Sequence, residues 1–134
     1  MARILLTEDD DSVRGFVARA LAHVGHEVIE AEDGGIALER LAEEGPFDLL
    51  LSDIRMPVMD GIALALSAGA SHPGMPIVLM TGFADQRERA AGLEALVYDV
   101  IPKPFTLADL VAKVEDALAG KPVEIVPLSR TALG

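Results

Sequence analysis

Short apolar runs alternate with longer stretches of helical periodicity along most of the chain. The runs with the length of a strand span residues 4–7, 28–31, 49–53, 77–81 and 97–102. Runs of this kind are typical of parallel strands buried on both faces, and the stretches between them can supply the crossover helices. The pattern therefore predicts an α/β fold with a doubly wound, five-stranded parallel sheet.

The stretches between and after the runs predict the helices. The first helix has the clearest apolar face, which consists of Val13, Phe16, Val17, Ala20, Leu21 and Val24. Other helices are expected at about residues 35–44, 61–70, 85–95 and after 106. Gly25 and Gly45 are placed to end the first two helices, whereas Gly69 lowers the helix propensity of the third. Thr106 and Asp109 have the spacing of a capping box at the start of the last one.

The alternation stops near residue 120. Residues 1–120 are therefore expected to form one domain, and residues 121–134 a C-terminal tail. The 134 residues include 22 acidic and 11 basic side chains, and the formal net charge of −11 argues against nucleic acid and membrane as partners. Cysteine is absent, which excludes disulfides and thiolate chemistry. Without a signal peptide or a long unbroken apolar run, we expect a cytoplasmic location.

Polar side chains stand where four of the predicted strands end. They are Glu8, Asp9 and Asp10 after the first strand, Asp53 in the third, Thr81 in the fourth and Lys103 after the fifth. Because the carboxyl ends of parallel strands share one edge of a sheet, we expect these side chains to converge. The acids suit Mg²⁺, with Asp9 and Asp53 as direct ligands and Glu8 acting through water. The hypothesis makes Asp53 a nucleophile at phosphorus, with Lys103 neutralising the phosphoryl charge.

A structural role for part of the acidic cluster stays open. Acids in loops are often solvated or cap a helix, and Asp10 or Asp11 is placed to cap the first one. The three histidines are dispersed along the chain and do not predict a metal site. His26 follows a helix-ending glycine, so we expect its side chain to be exposed.

Four motifs carry a resemblance to a known family over about residues 2–119. They are ILLTEDD at residues 4–10, DIRMPVMDG at 53–61, TG at 81–82 and KPF at 103–105. In these motifs the chain resembles the CheY-like receiver domain of two-component response regulators, which implies a flavodoxin-like (βα)5 fold. The chain departs from the family pattern at Val100. Receivers often carry an aromatic residue three positions before the lysine that corresponds to Lys103, whereas the aromatic residue here is Tyr98, two positions before Val100.

The resemblance implies a role for each residue of the site. Asp53 would accept a phosphoryl group from a histidine kinase or a histidine phosphotransfer protein. The Mg²⁺ ligands would come from Glu8, Asp9, Asp53 and the backbone carbonyl of Arg55. Lys103 would pair with the phosphoryl group, and Thr81 would be the switch hydroxyl that moves toward it.

The resemblance also implies a signalling protein and not an enzyme. Within the receivers, the motifs are similar to the CpdR group of stand-alone regulators, which implies an adaptor that controls substrate delivery to the ClpXP protease. A Mg²⁺-dependent phosphohydrolase that turns over an aspartyl phosphate is the alternative, although related enzymes place Asp-x-Asp after the first strand and this chain does not. A scaffold that works without phosphorylation is a third possibility, and the presence of the acids, Thr81 and Lys103 argues against it.

Overall fold

The fold is a single parallel sheet with helices on both faces, as the sequence predicts. The computed structural model describes residues 1–82 and 96–120. The five strands lie in the order β2-β1-β3-β4-β5, and their bounds are β1 Arg3–Thr7, β2 Glu27–Ala31, β3 Leu49–Asp53, β4 Ile77–Thr81 and β5 Asp99–Pro102. The helices in the described ranges are α1 Asp11–His23, α2 Gly34–Glu44, α3 Gly61–Ser71 and α4 Leu107–Leu118. The helix predicted at about 85–95 and the tail predicted at 121–134 lie outside the described residues.

The register of the strands aligns their carboxyl ends at one edge of the sheet. Thr7 of β1 lies opposite Ser52 of β3, and Asp53 of β3 lies opposite Met80 of β4. Thr81 at the end of β4 is in turn opposite Pro102 at the end of β5. Residues that end β1, β3, β4 and β5 are therefore neighbours in space.

The core lies on both faces of the sheet because successive strand residues point to opposite sides. On one face, Leu5, Leu50 and Leu79 pack with buried residues of α2 and α3. On the other face, Leu6, Leu51 and Met80 pack with buried residues of α1 and α4. Full burial of an aliphatic side chain typically contributes about 1.5–3 kcal/mol, so the three central strands supply much of the hydrophobic stabilisation.

Two details of the predicted elements are wrong. The sequence predicts that the fifth strand begins at residue 97, but β5 begins at Asp99. Val97 is nevertheless buried, and the Tyr98 amide already donates to the Ile77 carbonyl at 2.7 Å. Phe16 fits the helical period of α1, but it is 55% exposed. The buried stripe of α1 is narrower than its apolar pattern and consists of Val17, Ala18 and Leu21.

The glycines near the helix ends and in α3 have identifiable structural roles. Gly25 follows the C-cap of α1 with a φ of 101°, a left-handed conformation that favours glycine, so the predicted end of α1 is confirmed. Gly69 lowers the propensity of α3, yet the helix continues through it to Ser71. A Cβ atom on Gly69 would lie 1.9 Å from Cδ1 of Leu96, so the glycine permits close packing of α3 on the segment before β5.

The expectation that His26 is exposed is wrong. Its side chain is only 6% exposed, and it connects the chain's N-terminus with the last helix. Nδ1 accepts a hydrogen bond from the Ala2 amide at 3.2 Å, and Nε2 lies 2.5 Å from Oε1 of Glu115 in α4. Among the described helices, none is long and apolar enough to cross a membrane.

Candidate functional site

Three carboxylates converge beyond the ends of β1 and β3. Glu8 and Asp9 follow β1 directly, and Asp53 is the last residue of β3. Glu8 and Asp53 are buried, at 1% and 7% exposure, whereas Asp9 is exposed. One carboxylate oxygen from each residue lies within 4.8 Å of the other two. Closely spaced carboxylate oxygens of this kind are the hard donors that Mg²⁺ prefers.

Lys103 extends toward these acids from the segment that follows β5. Its Nζ donates a hydrogen bond to Oε1 of Glu8 at 2.9 Å and lies 3.3 Å from Oδ1 of Asp53. Its backbone amide donates to the Thr81 carbonyl at 2.6 Å, which fixes the lysine beside the end of β4. The expected convergence of Glu8, Asp53 and Lys103 is therefore present in the structure.

The buried acids have raised pKa values. Burial raises the pKa of Glu8 from 4.5 to about 7; the Lys103 hydrogen bond opposes this rise and the charge of Asp53 adds to it. Burial also raises the pKa of Asp53, against the opposing effect of the Lys103 charge. Burial acts to lower the pKa of Lys103, but the hydrogen bond to Glu8 and the charge of Asp53 outweigh it, so the pKa is raised. The cluster has a surplus of negative charge, which a divalent cation would relieve.

The backbone around Asp53 is held by close packing of α3 against the end of β3. The Ile54 amide donates to the Met80 carbonyl at 3.0 Å, and the Gly61 amide donates to the Ile54 carbonyl at 2.7 Å. A Cβ atom on Gly61 would lie 2.2 Å from the Asp53 carbonyl oxygen, so only glycine lets α3 begin at this point. Asp60 caps the helix by accepting from the Ala63 amide at 2.9 Å. Asp53 is consequently held in position from β3, β4 and α3.

Thr81 and Arg55 are the remaining residues predicted for the site. Thr81 is the last residue of β4 and is 1% exposed. Arg55 lies two residues beyond Asp53, and its side chain is exposed. The roles predicted for the Thr81 hydroxyl and the Arg55 carbonyl remain predictions, since they concern a phosphoryl group and a metal.

Comparison with known proteins identifies the family. The model of the response regulator receiver domain matches residues 4–115 of the chain. The chain belongs to this family. It is also 45% identical, over 118 residues, to the response regulator receiver protein CpdR of Brucella abortus (strain 2308), and the match covers 88% of this chain and 98% of CpdR. Receivers of this family are components of two-component signal transduction, as the motifs predict.

Solved structures agree with this assignment. The CheY-like receiver domain protein of Methanospirillum hungatei JF-1 has a TM-score of 0.82 and 32% sequence identity, and the match covers 90% of this chain and 95% of that one. The response regulator TrrA of Thermotoga maritima, solved in complex with Mg(2+)-BeF, has a TM-score of 0.79 and 27% identity, with 87% and 99% covered. The CheY-like fold of this receiver is therefore confirmed.

Asp10 has a structural role in this receiver. Its Oδ1 accepts hydrogen bonds from the amides of Ser12 at 2.9 Å and Val13 at 3.1 Å, so it is the N-cap of α1. Its own amide donates to Oε2 of Glu8 at 3.2 Å. The structural interpretation, in which Asp10 caps the first helix, is confirmed, and the cap also ties the start of α1 to the buried carboxylate of Glu8.

Arg14 also contacts the site of this receiver, a contact that the sequence does not predict. Nη1 of Arg14 donates to the backbone carbonyl of Glu8 at 2.8 Å. The sequence contains one partial signal, because Asp11 and Arg14 have the i, i+3 spacing of an ion pair on a helix. That spacing does not indicate the contact with Glu8, which depends on how α1 packs beside the end of β1.

Proposed function

We propose that this receiver accepts a phosphoryl group on Asp53 in a Mg²⁺-dependent reaction and thereby changes its binding to a partner protein. The donor is a histidine kinase or a histidine phosphotransfer protein. One observation carries the proposal: the nearly buried carboxylate of Asp53 lies in one cluster with Glu8 and Asp9, and 3.3 Å from the ammonium of Lys103. This arrangement has a fixed nucleophile, oxygen donors for a cation and a positive counter-charge.

The transfer forms one bond and breaks another. A carboxylate oxygen of Asp53 forms a bond to phosphorus while the phosphorus–nitrogen bond of the donor's phosphohistidine breaks. The imidazole leaves with the electron pair of that bond and takes up a proton, and the product is an acyl phosphate. Lys103 neutralises the phosphoryl oxygens from its position beside Asp53, and hydrogen bonds around Ile54 and Gly61 hold the nucleophile in place.

The site residues fit a magnesium ion. Glu8, Asp9 and Asp53 present oxygens within 4.8 Å of one another, and the proposed ligand set is completed by the backbone carbonyl of Arg55. When bound, the ion neutralises negative charge on the carboxylates and on the phosphoryl group. The similarity to TrrA, which was solved with Mg(2+)-BeF, supports this ligand for the present chain.

The proposed switch begins at Thr81. A phosphoryl group adds about −1.5 to −2 charges beside the end of β4, which attracts a hydroxyl donor. Thr81 is suited to this role because it ends β4 and its carbonyl accepts from the Lys103 amide at 2.6 Å, so the end of β4 is directly connected to the segment after β5. Val100 occupies the position where many receivers have an aromatic residue, and it is partly buried against the core on the side of α2 and α3. Thr81 and the segment after it are therefore proposed to transmit the change without that aromatic.

The narrower proposal concerns the output of the switch. We infer a cytoplasmic adaptor, comparable to the CpdR group, whose phosphorylation state controls delivery of substrates to the ClpXP protease. The identity of 45% over 98% of the length of CpdR supports this output. Binding of ClpX by the unmodified protein but not by the beryllofluoride-treated protein, or the reverse, is the expected result. Equal binding by both forms would exclude ClpX as a partner that reads Asp53.

Mass spectrometry after treatment with acetyl phosphate and Mg²⁺ tests the phosphoryl acceptor. We expect one phosphoryl group per chain in the wild type and none in Asp53→Ala. Glu8 is also buried and also contacts Lys103, but both of its carboxylate oxygens already accept hydrogen bonds, Oε1 from Lys103 and Oε2 from the Asp10 amide. Asp109→Ala is the matched control, since it removes an exposed carboxylate from the first turn of α4. A phosphorylated Asp53→Ala protein would place the acceptor elsewhere and refute the proposal.

A further inference from the structure

Arg14 connects three elements at the edge of the acidic site. Its side chain is only 16% exposed, and three of its N–H groups have separate acceptors. Nε donates to Oε1 of Glu30 in β2 at 3.2 Å, and Nη2 donates to Oδ1 of Asp11 in α1 at 2.6 Å. Nη1 donates to the carbonyl of Glu8, beyond β1, at 2.8 Å. Because the guanidinium is planar, the two carboxylates set its orientation and thereby the direction of the third hydrogen bond.

The carbonyl that Arg14 contacts belongs to the peptide group between Glu8 and Asp9. A peptide group is planar, so fixing its carbonyl oxygen also fixes the direction of the Asp9 amide and the path of the chain between the two acids. The Glu8 amide is held independently by a hydrogen bond to the Ala31 carbonyl at 3.1 Å. The side chain of Arg14 therefore restrains the backbone on the C-terminal side of Glu8, where the chain leaves the sheet.

We propose that Arg14 is a positioning residue, which orients the Glu8–Asp9 peptide group so that the two carboxylates and Asp53 form a pre-organised Mg²⁺ site. The inference rests on the proposed function, because it concerns the same metal site. Groups that orient metal ligands typically contribute tenfold to hundredfold in metal affinity. Arg14 acts in this way through backbone geometry, and its own side chain binds no metal.

The positioning role and the electrostatic effect of the Arg14 charge predict opposite changes in Mg²⁺ affinity when Arg14 is removed. Arg14 is a cation close to an acidic site, so its charge alone would repel Mg²⁺, and its removal would strengthen metal binding. Loss of positioning has the opposite result, since the carboxylates would sample other arrangements and metal binding would weaken. The direction of the change in Mg²⁺ affinity therefore distinguishes the two explanations.

The test is a titration of the full chain with Mg²⁺, in which binding is monitored by the backbone amide NMR shifts of residues 8–10 and 53. We expect Arg14→Ala to weaken Mg²⁺ binding by about tenfold. Arg14→Lys should weaken it less, because lysine keeps a positive N–H donor group but has one donor nitrogen in place of the three that Arg14 uses. Arg19→Ala is the matched control, because it removes an exposed arginine from the same helix. The Mg²⁺ dissociation constant of this variant should equal that of the wild type. If Arg14→Ala is poorly folded in the absence of metal, the Arg14→Lys comparison carries the test.

Equal Mg²⁺ affinity in the wild type and both Arg14 variants would overturn the inference, as would tighter binding in Arg14→Ala. A wild-type protein that binds no Mg²⁺ would overturn it together with the proposed metal site. A wild-type protein that binds Mg²⁺ but accepts no phosphoryl group on Asp53 would refute the proposed function alone, because the titration requires no phosphodonor.

Discussion

The raised pKa of Glu8 predicts a specific pH dependence of stability in the metal-free protein. The folded protein holds this proton up to a pKa of about 7, whereas the unfolded chain releases it near 4.5. Between these values the folded state binds more protons than the unfolded state, so the free energy of unfolding falls as pH rises. The stabilising contribution is fully present below about pH 4.5 and is lost as pH rises through 7. Replacement of Glu8 by glutamine removes this contribution, because the amide stays neutral at all these pH values.

The size of the Glu8 contribution to the free energy of unfolding follows from its pKa values in the folded and unfolded states. A rise from 4.5 to about 7 corresponds to about 3 kcal/mol over the whole range. Between about pH 5 and about pH 7.5, the wild type should therefore lose ~2 kcal/mol of stability relative to Glu8→Gln. Other acids, including Asp53, titrate in both the wild type and Glu8→Gln. The difference between the two proteins therefore reports the ionisation of Glu8, including its repulsion with Asp53.

Urea unfolding followed by circular dichroism in EDTA measures this difference. Wild type and Glu8→Gln are compared at the two pH values, with Glu39→Gln as a control that removes an exposed carboxylate from α2. The control should follow the wild type at both pH values. Parallel stability curves for the wild type and Glu8→Gln would show that Glu8 ionises normally, and the argument from burial and repulsion would be wrong.

Further predictions concern the acidic cluster and the packing of two glycines. Millimolar Mg²⁺ should raise the melting temperature of the wild type, and Asp53→Asn should raise the melting temperature of the metal-free protein. Each change reduces the repulsion among the acids. Equal melting temperatures of the wild type with and without Mg²⁺ would contradict this. Gly61→Ala should destabilise the fold by about 2 kcal/mol or more, because its Cβ would lie 2.2 Å from the Asp53 carbonyl oxygen. Gly15→Ala, in the middle of α1 with 3.4 Å to its nearest neighbour, should instead stabilise by up to about 1 kcal/mol, and equal effects of the two changes in urea unfolding would refute the packing argument.

The parts of the fold that follow local rules could be predicted from the sequence. The strands β3 and β4 are apolar runs buried along their entire length, and their predicted bounds agree with the structure. The candidate site could be located because parallel strands end at one edge, which places Asp53 near Glu8 without knowledge of any side-chain contact. An apolar run indicates burial but not strand pairing, however. For this reason the sequence wrongly predicts Val97 and Tyr98 as part of the last strand.

Contacts between distant elements could not be predicted in this way. The side chain of His26 is only 6% exposed, and it contacts Glu115 of α4, which lies 89 residues away in the chain. Phe16 fits the apolar period of α1, but the sheet covers only the central stripe of that helix. Arg14 resembles any helical arginine in sequence, and its contact with the Glu8 carbonyl depends on the packing of α1 beside β1. Each case depends on tertiary neighbours that periodicity does not identify.

The hydrogen bond between Lys103 and Glu8 has a consequence for folding order. The two residues are 95 positions apart, and they follow strands that are separated in the sheet by β3 and β4. A partly folded chain that lacks β5 can form β1 and β3, but it cannot neutralise its buried acids with this lysine. Closing so large a loop is entropically costly, so the contact forms only when the intervening strands already hold the two ends together. The proposed acceptor site is then complete only in a fully folded chain, and under the proposed function a phosphodonor would react poorly with incompletely folded molecules without any separate recognition of their state.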